Sequence, residues 1–205
     1  MLEFFIAALV VAVAPGPDNL FVLTQSATHG SKAGFCVICG LCTGIVLQIT
    51  LLVLGVSALI VASPKAFFVM QCMGAAYLLY LAYKSFQVRS GVVLSEEQNT
   101  KSKDLGARKL YLRGIIMNIT NPKAVLFALS FIPPAVKMDS PLNPTTQMIV
   151  LGAEFILATF IVFGTVALLA GAVKRFLLNS PKANRNLNWF SGVVFVLLAV
   201  ALFAV

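Results

Sequence analysis

The chain has 205 residues, 60% of them hydrophobic and only 11% charged, and its mean hydropathy is +0.95. No soluble domain of this size can present so apolar a surface to water, so the solvent for most of the chain is lipid. The formal charge of +8 lies in loops, where the positive-inside bias accounts for it without nucleic acid or an acidic partner.

A transmembrane helix needs roughly 20 mostly apolar residues, and six segments satisfy this, at about 2–28, 34–61, 64–86, 110–136, 145–173 and 187–204. No basic stretch precedes the first segment and no small-residue cleavage pattern follows it, so it reads as a membrane helix and not as a signal peptide. It carries Pro15-Gly16-Pro17-Asp18-Asn19. The second holds Gly34, Gly40 and Gly44, three cysteines (Cys36, Cys39, Cys42) and Gln48; the third holds Cys72 and Gly74. Lone His29, between the first two, reads as a solvated turn residue. A polar stretch from Gln87 to Lys109 leads into the fourth helix, with Asn118, Asn121, Pro122 and Lys123. The fifth helix contains Gly152, Glu154, Gly164 and Gly171, and the sixth closes the chain.

Twelve Lys and Arg residues fall in the loops of one side and two, Lys65 and Lys137, on the other. This asymmetry puts the loops joining helices 1 and 2, 3 and 4, and 5 and 6 in the cytoplasm, with both termini outside. The expected fold is an all-α integral membrane protein with a single domain over 1–205. It has two inverted three-helix repeats, at about 1–86 and 110–205, joined by a cytoplasmic loop at about 87–109.

The repeat rests on ordered matches. Ser63-Pro64-Lys65-Ala66 pairs with Ser180-Pro181-Lys182-Ala183, and the Pro17 motif pairs with Thr120-Asn121-Pro122-Lys123. Three crossings reverse direction, so the halves are inverted. Proline within a helix removes a donor and clashes with the carbonyl four residues earlier, so Pro15, Gly16, Pro17 and Pro122 are expected to interrupt helices 1 and 4. Freed backbone groups in hydrocarbon are tolerated only where protein or water encloses them, and paired interrupted helices in inverted halves point to a transporter's binding site.

Asp18 and Lys123 follow the two prolines at matched positions, and an ion at mid-membrane costs roughly 3 kcal/mol or more. Either they flank one solute cavity or they form a structural ion pair. Asn19, Gln48, Asn118 and Asn121 complete the candidate substrate-binding set, although side-chain amides also join helices. Low dielectric penalises a charged carboxyl, which makes Asp18 and Glu154 the proton-coupling candidates. Gly40-Leu-Cys-Thr-Gly44 fits small-xxx-small packing, with a homodimer as its alternative use. The cysteines drift around a continuous helix with no histidine beside them, so they read as packing residues, and neither a metal nor a cofactor is expected.

Four segments together resemble the lysine-exporter (LysE/RhtB) family of bacterial amino-acid exporters. They are Pro15-Gly16-Pro17-Asp18-Asn19, Gly34 to Gly44, Gly74-Ala-Ala-Tyr-Leu-Leu-Tyr-Leu-Ala-Tyr and Asn118-Ile-Thr-Asn-Pro-Lys-Ala. The resemblance covers nearly the whole chain. It implies proton-driven, non-enzymatic export of amino acids or close derivatives across the bacterial cytoplasmic membrane, with the solute and membrane lipid as partners. Competing readings are a heavy-metal cation exporter, which needs converging His, Cys or carboxylate ligands, and a membrane thiol-redox carrier, which needs a reactive cysteine pair.

Overall fold

The computed structural model describes residues 2–62, 64–87, 106–137, 139–172 and 181–203. These contain helices and turns and no strand: α1 (Leu2–Val13), α2 (Pro17–His29), α3 (Ser31–Ala62), α4 (Pro64–Gln87), α5 (Ala107–Thr120), α6 (Pro122–Phe131), α7 (Pro144–Leu168) and α8 (Pro181–Ala201). Most of the polar stretch (88–105) lies outside the described residues, as do Lys174, Arg175, and Ser63 and Ser180 of the repeated motif.

Each expected segment corresponds to a helix or to a helix pair. The first is divided into α1 and α2, bent by 62°, and the fourth into α5 and α6, bent by 56°. The breaks fall at Pro15-Gly16-Pro17 and at Asn121-Pro122, where the missing N–H groups end the preceding helix and a proline opens the next. Segment ends differ from expectation in three places. Helix α6 stops at Phe131 because Pro133 and Pro134 remove the next donors, α7 gives way to a turn at Leu169, and α8 begins at Pro181. His29 is the half-buried last residue of α2 and not a solvated turn residue, and Gly30, at φ 84°, makes the turn into α3.

Among the described residues two helices, Ser31–Gly55 within α3 and Pro144–Leu168, are by themselves long and apolar enough to cross a membrane, and the two bent pairs raise the number to four. Arg185–Ala201 is a shorter apolar segment. Exposure is inverted relative to a water-soluble protein: Leu51, Leu54 and Leu157 are exposed, whereas Asp18, Asn118, Asn121 and Lys123 are buried.

Two apolar clusters form the interior. One joins α1, α6 and α8 to parts of α3, α4 and α7, around Phe4, Ala8, Phe127, Met148, Phe155 and Leu198. The other joins α2 to the first half of α3, the start of α5 and the end of α7, around Phe21, Val22, Ile38, Leu41 and Phe163. Since α1 and α6 serve one cluster and α2 and α5 serve the other, the breaks lie at the boundary between them.

Helices α3 and α5 cross almost backbone on backbone. A Cβ on Gly40 would lie 2.9 Å from the Gly114 Cα and closer still to the Tyr111 carbonyl oxygen. The Thr43 and Tyr111 hydroxyls share a hydrogen bond of 2.9 Å beside this crossing, and Gly44 packs on Asn118. Both glycines of the small-xxx-small motif are thus occupied within the chain. Gly40→Ala is expected to lower the unfolding temperature in detergent micelles, overpacking a tight contact costing about 1–3 kcal/mol. Gly55→Ala, which meets only open space, should leave that temperature equal or higher. Equal behaviour of the two variants would contradict the close crossing.

Candidate functional site

At the C-terminal end of α1 the last carbonyls need donors from outside the helix. Four residues beyond Val11 and Val13 stand Pro15 and Pro17, which have no N–H to give. Side chains from other elements supply the donors. The Lys123 Nζ donates to the Val11 carbonyl at 3.2 Å and to the Ala14 carbonyl at 2.9 Å. Asn19 Nδ2, from the start of α2, donates to the Ala12 carbonyl at 2.9 Å. A cation at a helix C-terminus also meets the negative end of its dipole. Gly16 makes the approach feasible, since a Cβ there would lie 3.1 Å from the Lys123 Nζ.

The second break repeats the logic with other groups. Pro122 deprives the Asn118 carbonyl of its helical donor, and that oxygen accepts instead from the Asn121 N–H at 3.1 Å and from Gln48 Nε2 at 2.9 Å. Gln48 Nε2 also reaches Asn118 Oδ1 at 2.9 Å. Asn121 joins the two breaks. Its Oδ1 caps α6 by accepting from the Lys123 N–H at 3.0 Å, and its Nδ2 donates to Asp18 Oδ2 at 2.5 Å.

The structure therefore gathers Asp18, Asn19, Asn121 and Lys123 around the two breaks, with Asn118 and Gln48 adjoining through Asn121. Asp18 and Lys123 are neighbours without being an ion pair, because the carboxylate takes the Asn121 amide and the ammonium takes backbone carbonyls. Glu154 lies on α7 and shares no hydrogen bond with this group. Three buried acceptors near the breaks have no hydrogen-bond partner: Asp18 Oδ1, Asn19 Oδ1 and Gln48 Oε1. Lysine ammonium has three N–H bonds, of which two serve α1, and the N-cap Gly16 leaves α2 without a side-chain cap. The arrangement offers oxygen acceptors for a cation and, beside them, donors for an anion.

Sequence reasoning missed the α1 carbonyls as Lys123's partners, the Gly114 crossing, and Gln147, a buried amide clamping the chain after α6. The Val11 carbonyl was readable from Pro15, four residues beyond it, whereas the Ala14 carbonyl, four residues before Asp18, was not. Lys123→Leu removes the donor from two buried carbonyls, each costing about 1–3 kcal/mol when left unpaired. Its unfolding temperature in micelles should fall accordingly; a variant as stable as the wild type would contradict this bonding.

Comparison with known proteins places the geometry in context. The chain is 28% identical over 201 residues to the uncharacterized membrane protein YrhP of Bacillus subtilis, covering 96% of this chain and 94% of that one. It is 27% identical over 199 residues to the homoserine/homoserine lactone efflux protein of Salmonella typhimurium, covering 97% and 93%. The protein of the same description in Salmonella typhi is 28% identical over 199 residues, with the same coverage. No solved structure matches the chain. The family model for the LysE type translocator matches residues 9–204. The chain therefore belongs to the LysE type translocator family, and it is a multi-pass bacterial membrane transporter and not an enzyme.

Proposed function

We propose that this protein exports a neutral amino acid or a close derivative from the bacterial cytoplasm, binding it where the two helices are broken. The observation that carries the reading is Asp18: a buried carboxylate, fixed through one oxygen by Asn121 of the other break, whose second oxygen has no partner. In this reading the solute's ammonium meets Asp18 Oδ1, with Asn19 Oδ1 beside it. Its carboxylate meets the third N–H of Lys123 and the uncapped N-terminus of α2. A charged side chain on the solute would add a cation near Lys123 or an anion near Asp18, which favours neutral solutes. The names of the Salmonella relatives, which refer to homoserine and its lactone, agree with a small hydroxylated solute.

An arrangement of six spans in two inverted halves agrees with four of the helix contacts. With α1/α2, α3 and α4 equivalent to α5/α6, α7 and α8, the contact of α3 with α5 corresponds to that of α1 with α7. The contacts α3 with α7 and α4 with α8 each map onto themselves, and all four pairs are packed. In this architecture each bent pair is one broken span, the basic loops face the cytoplasm, and both termini face outward. Rocking of one half on the other exposes the site to each side in turn. Proton coupling is assigned to Asp18 or Glu154, each of which keeps a buried carboxylate oxygen without a partner where a proton can bind.

Counterflow of labelled amino acids, homoserine among them, into proteoliposomes at two pH values tests solute and coupling together. Accumulation of neutral or hydroxylated amino acids that changes with the pH gradient is expected. Asp18→Asn and Lys123→Ala should each reduce transport at least tenfold, the loss of one charge-assisted contact. Full transport by both variants would remove these residues from the binding role.

A further inference from the structure

Away from the two breaks, a cleft of about 450 Å³ lies between the start of α1, the end of α6 and the end of α8. That volume is within the range of small-molecule sites, roughly 300–1,000 Å³. Its walls are mostly apolar, with Phe4, Phe131, Leu198 and Leu202 among them, and of its described lining only Glu3 and Lys137 carry charge. Neither charged side chain has a protein hydrogen-bond partner among the described residues.

Lys137 is not a loosely placed loop residue. Buried Gln147 grips its backbone twice, accepting from the Lys137 N–H at 2.9 Å and donating to the Lys137 carbonyl at 2.9 Å, and it also donates to the Leu142 carbonyl at 2.8 Å. An amide enclosed in this way fixes where the Lys137 side chain leaves the chain. A lysine held at its backbone, a carboxylate and apolar walls in one cleft complement a zwitterion with a small side chain, the same chemistry as the solute of the Asp18 site.

A continuous helical face links cleft and site. On α6, Lys123, Phe127 and Phe131 follow at intervals of four, so they stack along one side of the helix, from the break to the cleft. On α1, Val11, Ala8 and Phe4 follow at intervals of three and four and share one side in the same way. Between the two ends sits Phe127, 1% exposed. Its ring stacks on Phe4 at 5.6 Å and on Phe131 at 4.8 Å, and tilts against Phe155 at 5.1 Å. The four phenyl rings thus form one apolar cluster reaching from beside the polar layer to the cleft, which Phe4 and Phe131 line, and an apolar plug of this kind is a barrier that rotamer changes can open.

We propose that the cleft is a second subsite for the exported zwitterion on the release side, with Glu3 for the ammonium and Lys137 for the carboxylate, and that the Phe127 cluster is the gate between it and the Asp18 site. The proposal rests on the export reading above.

Transport kinetics measured separately from each membrane face test it, in right-side-out and inverted membrane vesicles. Glu3→Gln and Lys137→Gln should raise the ratio of outward-face to inward-face KM about tenfold, the loss of one charge-assisted hydrogen bond. Asp139→Asn, an exposed carboxylate in the same loop that does not line the cleft, should leave the ratio in place. Phe127→Ala should accelerate leak of solute down its gradient from the outward face. Phe131→Ala, half-buried, provides the same readout if the first variant does not fold. An unchanged ratio in both charge variants would overturn the subsite and leave the cleft to a lipid chain, and a tight membrane in both phenylalanine variants would overturn the gate. Wild-type vesicles that move no amino acid would remove the export reading itself, whereas wild-type transport with an unchanged ratio removes the subsite alone.

Discussion

The centre of this molecule is a hydrogen-bonding problem created by proline. Pro15 leaves the Val11 carbonyl without a helical donor inside an apolar protein, and an unmatched buried carbonyl costs about 1–3 kcal/mol. The Lys123 ammonium answers it, bridging from the other half of the chain to Val11 and Ala14. That single side chain ties the end of α1 to the start of α6. It also holds a positive charge beside Asp18 without neutralising it through direct pairing, so both charges retain bonding capacity.

The rest of the site follows from this anchoring. Asn121 caps α6 and reaches Asp18, so the break in the second half sets the orientation of the carboxylate in the first. Gln48 closes the remaining gap at Asn118 and ties α3 into the same layer, while the Gly40–Gly114 crossing brings α3 close enough to do so. Most of these polar contacts satisfy backbone groups that the two breaks leave without helical donors, or support the side chains that do so. The three acceptor oxygens left over are therefore distinctive: they remain after the backbone's needs have been met.

Much of this was legible in the sequence. Proline motifs at 17 and 122, each followed by a charged residue, located both breaks, and apolar run lengths located the helices. What sequence did not reveal was the choice of partner. Opposite charges at matched positions suggest a salt bridge, yet a lysine at this position has a competing option in the carbonyls of a truncated helix, and carbonyls carry no residue-type signature. Gly114 was overlooked because a lone glycine in a helix shows nothing of what crosses it. Gln147 sits in the first turn of α7, where an amide looks like an ordinary surface residue until the returning loop is seen to wrap it. Phe127 is indistinguishable by composition from any lipid-facing phenylalanine; only its position one turn beyond Lys123, with three other rings around it, marks it out.

The most direct test of the account is a double-mutant cycle in unfolding free energy between Pro15→Ala and Lys123→Leu. Alanine at position 15 restores an N–H four residues beyond Val11, so the Lys123 donor becomes partly redundant. Lys123→Leu should then cost less in the Pro15→Ala background than in the wild type, with a coupling of about 0.5–3 kcal/mol as for residues sharing one network. Additive losses, within about 0.5 kcal/mol, would show that Lys123 does not serve the carbonyl that Pro15 exposes.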